Sequence, residues 1–265
     1  ARILAGGTDV LVQMKSGIIE PDLLVDIKKI PGISDIIEQN GGFRIGAAVS
    51  GIELNDHQGV KELVPGVVEA LELIGSTQIQ GRCTMVGNLC NASPAADCVP
   101  ALIAIEATVN IVGPKGHRVS PVDEIAVGPG KNSLEKGEFI TSINIPSRPP
   151  RSSDAYLRFT PRTEMDIAVV SAAVSLTLSE EGICEHARIS LGAVAPKVLI
   201  VQKASDILVG TKLDEITLSL MSAECLLECK PISDKRGTIE FRTDVSGVLA
   251  KRASLIAYKR AGGIK

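Results

Sequence analysis

Aromatic side chains are nearly missing from this chain: two Tyr, four Phe and no Trp in 265 residues. Base-stacking platforms and aromatic sugar clefts are disfavoured on that count, so a flat ligand would be held by backbone and aliphatic groups. A surplus of one charge is missing too. The net charge is −3, with acids and bases intermixed. No basic face points to nucleic acid as a partner. No apolar run is long enough to span a bilayer and no leader segment is visible, so no membrane partner and a cytoplasmic location are expected.

Metal and nucleotide signatures are also lacking. Cys83, Cys90, Cys98, Cys184, Cys225 and Cys229 include no CxxC pair, and the three His are scattered. These spacings match no zinc or iron–sulfur pattern, so no metal is expected on this chain. The cysteines read as free thiols of a reducing compartment. Cys83, Cys90 and Cys98 are close enough in sequence to line one site, and Cys225 and Cys229 stand one helical turn apart as packing groups. GxGxxG is absent. GPGKNS at 128–133 lacks the upstream glycine and following hydroxyl of a P-loop.

What remains is a chain with 45% apolar residues, long enough for more than one domain. ARILAGGTDVLVQMKSG reads as strand, glycine turn and short helix. LLVDIKKI reads as a second strand and GGFRIGAAVS as a third. VKELVPGVVEALELIG is a helix interrupted or restarted at Pro65. VPALIAIEATVNIVG is a helix running into a strand, and GHRVSPVDE and EFITSINIP are further strands. Pro146, Pro149, Pro150 and the serines around them mark a boundary at 147–154. Beyond it AYLRFT, DIAVVSAAVSLTLS and HARISLGAVA predict a small antiparallel sheet, followed by three helices.

Two segments do not look like core. In AGGTD, Gly6 and Gly7 remove Cβ atoms and permit unusual backbone angles. Thr8 can cap a helix starting at Asp9. Free N–H groups at such a turn suit a phosphate, although AGGTD alone fits a ligand-free tight turn as well. TMVGNLCNASPAAD, residues 84–97, has the same character. Gly87 allows close backbone approach, and Ser93-Pro94 reads as an N-cap with proline at the first helical position. Asp97 then falls in the first turn, where it suits the helix dipole or accepts hydrogen bonds from a sugar hydroxyl. Two glycine loops on different strands, without a lysine, suit a long diphosphate such as that of FAD.

Taken together, these segments resemble the FAD-binding medium subunit of the molybdenum hydroxylase family, of xanthine dehydrogenase and carbon monoxide dehydrogenase type. LLVDIKKIPG, FRIGAAVS, GSTQIQG, VGPGKNSL, FITSINIP, TEMDIAVVSAA, ISLGAVAPK and PISDKRGTIEFR follow in the family's order, so the resemblance covers essentially the whole chain. It implies an α+β protein. A two-subdomain FAD-binding fold of the vanillyl-alcohol oxidase (PCMH) type would occupy 1–150, with subdomains about 1–52 and 53–150. A three-stranded antiparallel sheet with helices, like the CO dehydrogenase flavoprotein C-terminal domain, would occupy 151–265.

The resemblance also implies the cofactor-binding residues. Ile3, Leu4, Ala5, Gly6, Gly7, Thr8, Asp9 and Val10 would wrap the FAD diphosphate, and Thr84, Met85, Val86, Gly87 and Asn88 would form a second backbone cradle. Asp97 would hold ribityl or ribose hydroxyls. Ile74 and Ile140 would pack against the flavin or adenine region. Arg158 would stand near the isoalloxazine, with the loop 161–166 beside it. No residue is expected to act as a catalyst.

The implied work is electron transfer from the [2Fe-2S] clusters of a small subunit through FAD to NAD+ or another acceptor. A molybdopterin-binding large subunit would supply the electrons, in a dimer of heterotrimers. A stand-alone flavin oxidase of the vanillyl-alcohol oxidase type is the alternative, and a scaffold that has lost flavin a third. The sequence departs from the family at three points. Val86 replaces the first glycine of T-x-G-G-N, where a β-branched residue resists positive φ, so Val86→Gly is expected to keep or tighten FAD binding. Arg158 replaces a lysine. The family's further strand and helix ahead of AGGTD are not seen in this sequence.

Overall fold

The computed structural model describes residues 1–162 and 165–263. The loop 161–166, expected beside the flavin ring, therefore lies partly outside the described residues. The chain is a mixed α/β protein. Strand β1 (Arg2–Leu4) leads through AGGTD into helix α1 (Val10–Lys15) and then to β2 (Leu24–Asp26). β1 and β2 pair in parallel, Ile3 opposite Val25. The helix starts one residue later than expected. Asp9, not Thr8, is its N-cap, and no side chain caps it.

Next come β3 (Ile36–Gln39) and β4 (Gly42–Gly46). Asn40 and Gly41, at φ 52° and 74°, make the turn between them, the left-handed pair that a two-residue hairpin favours. β3 is not among the expected strands, which start at the glycine turn before β4. Four short helices follow: α2 (Gly51–Asn55), α3 (Gln58–Leu63), α4 (Pro65–Glu72) and α5 (Thr77–Gln80). Ser50 and Glu53 form a reciprocal capping box at α2. Pro65 opens α4 at its first position, so the expected helix is indeed restarted there.

Helix α6 (Met85–Cys90) and helix α7 (Cys98–Ala104) come next, then β5 (Thr108–Gly113), β6 (Gly116–Pro121), the short pair β7 (Ala126–Gly128) and β8 (Lys131–Asn132), and β9 (Phe139–Ile145). The five-stranded sheet runs β3-β4-β9-β5-β6. Its inner face, with Phe43, Ile45, Val109, Ile111, Ile143 and Ile145, packs on α4, α6 and α7 in the first hydrophobic core. The alternation of apolar and polar residues along β5 and β9 explains this directly.

The remaining strands are β10 (Ser152–Phe159), β11 (Val170–Leu178), β12 (Cys184–Gly192) and β13 (Leu199–Ile200). They form one antiparallel sheet in that order, with four strands where three were expected. The extra strand is two residues long, too short to show a period of two. Helices α8 (Gln202–Leu208), α9 (Glu215–Glu228) and α10 (Ile239–Arg260) cover the sheet around a second core. Helix α10 presents small residues, Ala250, Ala253 and Ala257, to that core.

Strand β10 belongs to both cores. Its successive side chains alternate between faces. Ala155 and Leu157 join the second core, whereas Tyr156 joins the first. Asp154, Tyr156 and Arg158 thus share the face turned toward α4 and α7. That alternation positions the site described below.

Candidate functional site

The two glycine segments lie side by side. A Cβ built on Gly6 would stand 1.9 Å from the carbonyl oxygen of Arg82. Gln13 on α1 donates to Asn91 Oδ1 at the end of α6, 3.0 Å away. Gly51 N–H donates to Cys83 O at 2.8 Å, tying α2 to the same place. Gly6 is therefore required by the chain's own packing before any ligand is considered. Gly7 has φ +81° and makes the turn.

The segment 84–97 is not a loop throughout. Thr84 is the N-cap of α6, and its Oγ1 accepts Gly87 N–H at 2.9 Å. Val86 lies in the first helical turn and is buried at 7% exposure. The expected conflict between Val86 and a positive φ does not arise, because the residue is helical. Its side chain packs with Met85 and Leu89 in the first core. Ser93-Pro94 is likewise not a helix start. Ser93 Oγ accepts Ala95 N–H at 3.3 Å in a turn, and α7 begins only at Cys98.

The N–H groups of Gly7, Thr8 and Asp9, and those of Met85 and Val86, have no acceptor among the described residues. Five free donors on two touching segments, at the starts of two helices, make a donor set for an extended anion. Lys28 Nζ donates to Ala5 O at 3.0 Å behind the first loop and is paired with Asp26 Oδ1 at 2.8 Å. A cavity of about 390 Å³ is lined by residues including Ala5, Gly6, Lys28, Ser50, Gly81 and Arg82; none of the five donor residues lines it.

The other expected residues are distributed as follows. Asn88 does not present its side chain as a free amide; Oδ1 accepts Cys98 N–H at 3.1 Å and so caps α7. Ile74, just past α4, is half-buried against the first core, while Ile3 is exposed. Ile140 is 2% exposed and sits within that core, opposite Ile111. Asp97 and Arg158 are brought together: Arg158 Nη1 donates to Asp97 Oδ2 at 2.8 Å, with both side chains nearly buried. Tyr156 donates its hydroxyl to Asp97 Oδ1 at 2.7 Å.

Burial raises the pKa of Asp97 above the ordinary carboxylate range, against the opposing pull of Arg158 and Tyr156. Burial, with Asp97 close by, holds the Tyr156 phenol well above its usual value, so it stays protonated and donates. Burial also pushes Cys83 up to about 11 and Cys90 to about 12. These thiols near the site are therefore protonated packing groups, not nucleophiles. Tyr156 is the site residue the sequence reading missed. The signal available was the alternation Asp154, Tyr156, Arg158 along one strand.

Free N–H donors on two neighbouring segments and a buried, hydrogen-bonded carboxylate fit a protein that holds a phosphate-bearing cofactor. The sequence profile of the FAD binding domain in molybdopterin dehydrogenase matches residues 1–148, and that of the CO dehydrogenase flavoprotein C-terminal domain matches 155–257. The chain belongs to this family of FAD-binding medium subunits of the molybdenum hydroxylases. It is 34% identical to the carbon monoxide dehydrogenase medium chain of Afipia carboxidovorans, over 98% of this chain and 90% of that one. It is 29% identical to the 6-hydroxypseudooxynicotine dehydrogenase complex subunit alpha of Paenarthrobacter nicotinovorans, over 98% and 88%. Among solved structures, reconstituted CO dehydrogenase from Oligotropha carboxidovorans superposes with a TM-score of 0.93 at 33% identity, over 98% of this chain and 90% of that chain.

Proposed function

We propose that this chain is the FAD-binding electron-transfer subunit of a molybdopterin-dependent hydroxylase or dehydrogenase complex. It stands between the [2Fe-2S] clusters of a small subunit and an acceptor such as NAD+. A large subunit carries the molybdopterin cofactor, and the complex is a cytoplasmic dimer of heterotrimers. The observation that carries the reading is the pair of touching segments with five free N–H donors, in a chain of this family. FAD, when bound, supplies the redox chemistry by taking up electrons and passing them on.

The chain's own residues bind and orient. The N–H groups of Gly7, Thr8 and Asp9 and those of Met85 and Val86 would donate hydrogen bonds to the diphosphate. Ile3, Leu4, Ala5, Gly6 and Val10 shape the first loop, and Thr84, Gly87 and Asn88 hold α6 and α7 against it. Asp97 takes sugar hydroxyls through the lone pairs that Tyr156 and Arg158 leave free. Ile74 supplies an apolar wall, whereas Ile140, expected to share it, is 2% exposed within the first core and has no surface for the cofactor; Arg158 supplies positive charge on the C-terminal side. Residues 1–150 and 151–265 act as separate domains, the first divided near residue 52. The two hydrophobic cores support the boundary near residue 150; the first core and its five-stranded sheet run across residue 52 without a break.

Isolation of the tagged chain from its own host tests the reading. The expected result is a complex containing molybdenum, the electron paramagnetic resonance of reduced [2Fe-2S] clusters, and one FAD per chain. A chain isolated alone, without molybdenum or cluster signals, refutes the complex. Anaerobic bleaching of the flavin by NADH then supports NAD+ as the acceptor, and no bleaching argues for another.

A further inference from the structure

Asp97 occupies the N-cap of α7, where a carboxylate ordinarily accepts an N–H of the first helical turn. It makes no such bond. Asn88, reaching across from α6, accepts the N–H of Cys98 instead. The Asp97 carboxylate is thereby free to turn toward β10, where Tyr156 takes Oδ1 and Arg158 takes Oδ2. Tyr156 is itself held firmly. It is 2% exposed, and its N–H donates to Glu69 Oε2 at 3.2 Å. Glu69 is in turn paired with Arg260 of α10.

An arginine facing a lone carboxylate tends to take both oxygens in a two-pronged fork. Here the Tyr156 hydroxyl occupies one oxygen and limits Arg158 to the other. An ionised carboxylate offers about four acceptor sites. The one-to-each arrangement leaves acceptor capacity on both oxygens. A fork would consume those positions and draw the carboxylate toward β10.

We propose that Tyr156 is a positioning residue for the cofactor, fixing the Asp97 carboxylate so that both of its oxygens accept hydroxyls of a ribityl or ribose chain. This rests on the assignment of Asp97 as a cofactor ligand given above. Tyr156 acts through Asp97 and through no contact of its own, which makes the two residues energetically coupled.

The test is a double-mutant cycle on FAD affinity, read by equilibrium titration of the full chain stripped of FAD. Tyr156→Phe keeps the ring and removes the hydroxyl. The expected result is binding weakened roughly tenfold, with the melting temperature of the FAD-free chain lowered far less than that of the loaded one. In an Asp97→Ala background the same change produces no further loss. Affinity within about twofold of wild type, or an equal loss in the Asp97→Ala background, overturns the proposal. A wild-type chain that binds no FAD overturns the assignment of the site, and this proposal with it.

A second measurement needs no variant at position 156. The chain has two tyrosines and no tryptophan. Labelling with 3-fluorotyrosine therefore yields two fluorine resonances, assigned with Tyr258→Phe. Tyr258, whose hydroxyl donates to Gly182 O, serves as the internal control. Addition of FAD shifts the Tyr156 resonance and leaves that of Tyr258 in place. A Tyr156 resonance that does not move overturns the proposal.

Discussion

Gly6→Ala is the most informative single perturbation of the cofactor loops. The added methyl would lie 1.9 Å from Arg82 O and 2.7 Å from Arg82 C. Non-bonded carbons normally keep about 3.5 Å from their neighbours, so the first loop must move away from the 82–84 segment by more than about 1 Å. Both contacts are with backbone, so no side-chain rotation relieves them. Overpacking of this kind costs about 1–3 kcal/mol. Parting the loops also strains the Gln13–Asn91 hydrogen bond, a further loss of about 1 kcal/mol. The expected total is about 2–4 kcal/mol, read by urea denaturation of the FAD-free chain. Because the same two segments carry the free N–H donors, FAD affinity falls more than about tenfold in parallel. A Gly6→Ala chain with stability within about 0.5 kcal/mol of wild type and unchanged FAD affinity would refute the close apposition of the loops.

Two further outcomes follow from buried groups. Val86→Gly, expected from the family pattern to keep or tighten FAD binding, instead removes a buried helical side chain. It should destabilise the chain by about 2–3 kcal/mol, and equal or higher stability by denaturation would contradict the helical assignment of α6. Asp154 is held by Arg148 at 2.7 Å, yet burial pushes its pKa up from 3.8 to about 6, with Arg148 pulling it back only in part. The folded state thus binds this proton more tightly than the unfolded one. Its contribution is fully present below about pH 4 and is lost as pH rises through about 6, a change of about 3 kcal/mol. Asp154→Asn should remove that fall from the stability–pH curve, and a curve of unchanged slope between pH 4 and 6 counts against it.

Much of the scaffold was legible because its signals are local. The apolar alternation along β5, β9, β11 and β12 predicts sheets, and Pro65 predicts a helix start. β3 was not legible because its residues Ile36–Gln39 are largely exposed and carry no alternation between an apolar and a polar face. The segment 84–97 was misread in part for a related reason. Its small residues suggest loop, but Thr84 caps a helix whose apolar face is only Met85, Val86 and Leu89. Six residues are too few to show a helical period. The glycine pair was recognised as special, yet the reason for Gly6 lies 76 positions away, at Arg82. Asp97 and Arg158 were each singled out separately. Their direct contact, with Tyr156 on the other carboxylate oxygen, depends on how β10 packs against α7, and no spacing within the sequence encodes it.

The central claim is that the touching segments 3–10 and 84–88 form a cradle for FAD. Equilibrium dialysis of the purified full chain against FAD measures it most directly. The account predicts saturation at one FAD per chain, and its loss in Gly6→Ala. A folded wild-type chain that retains no FAD would contradict it.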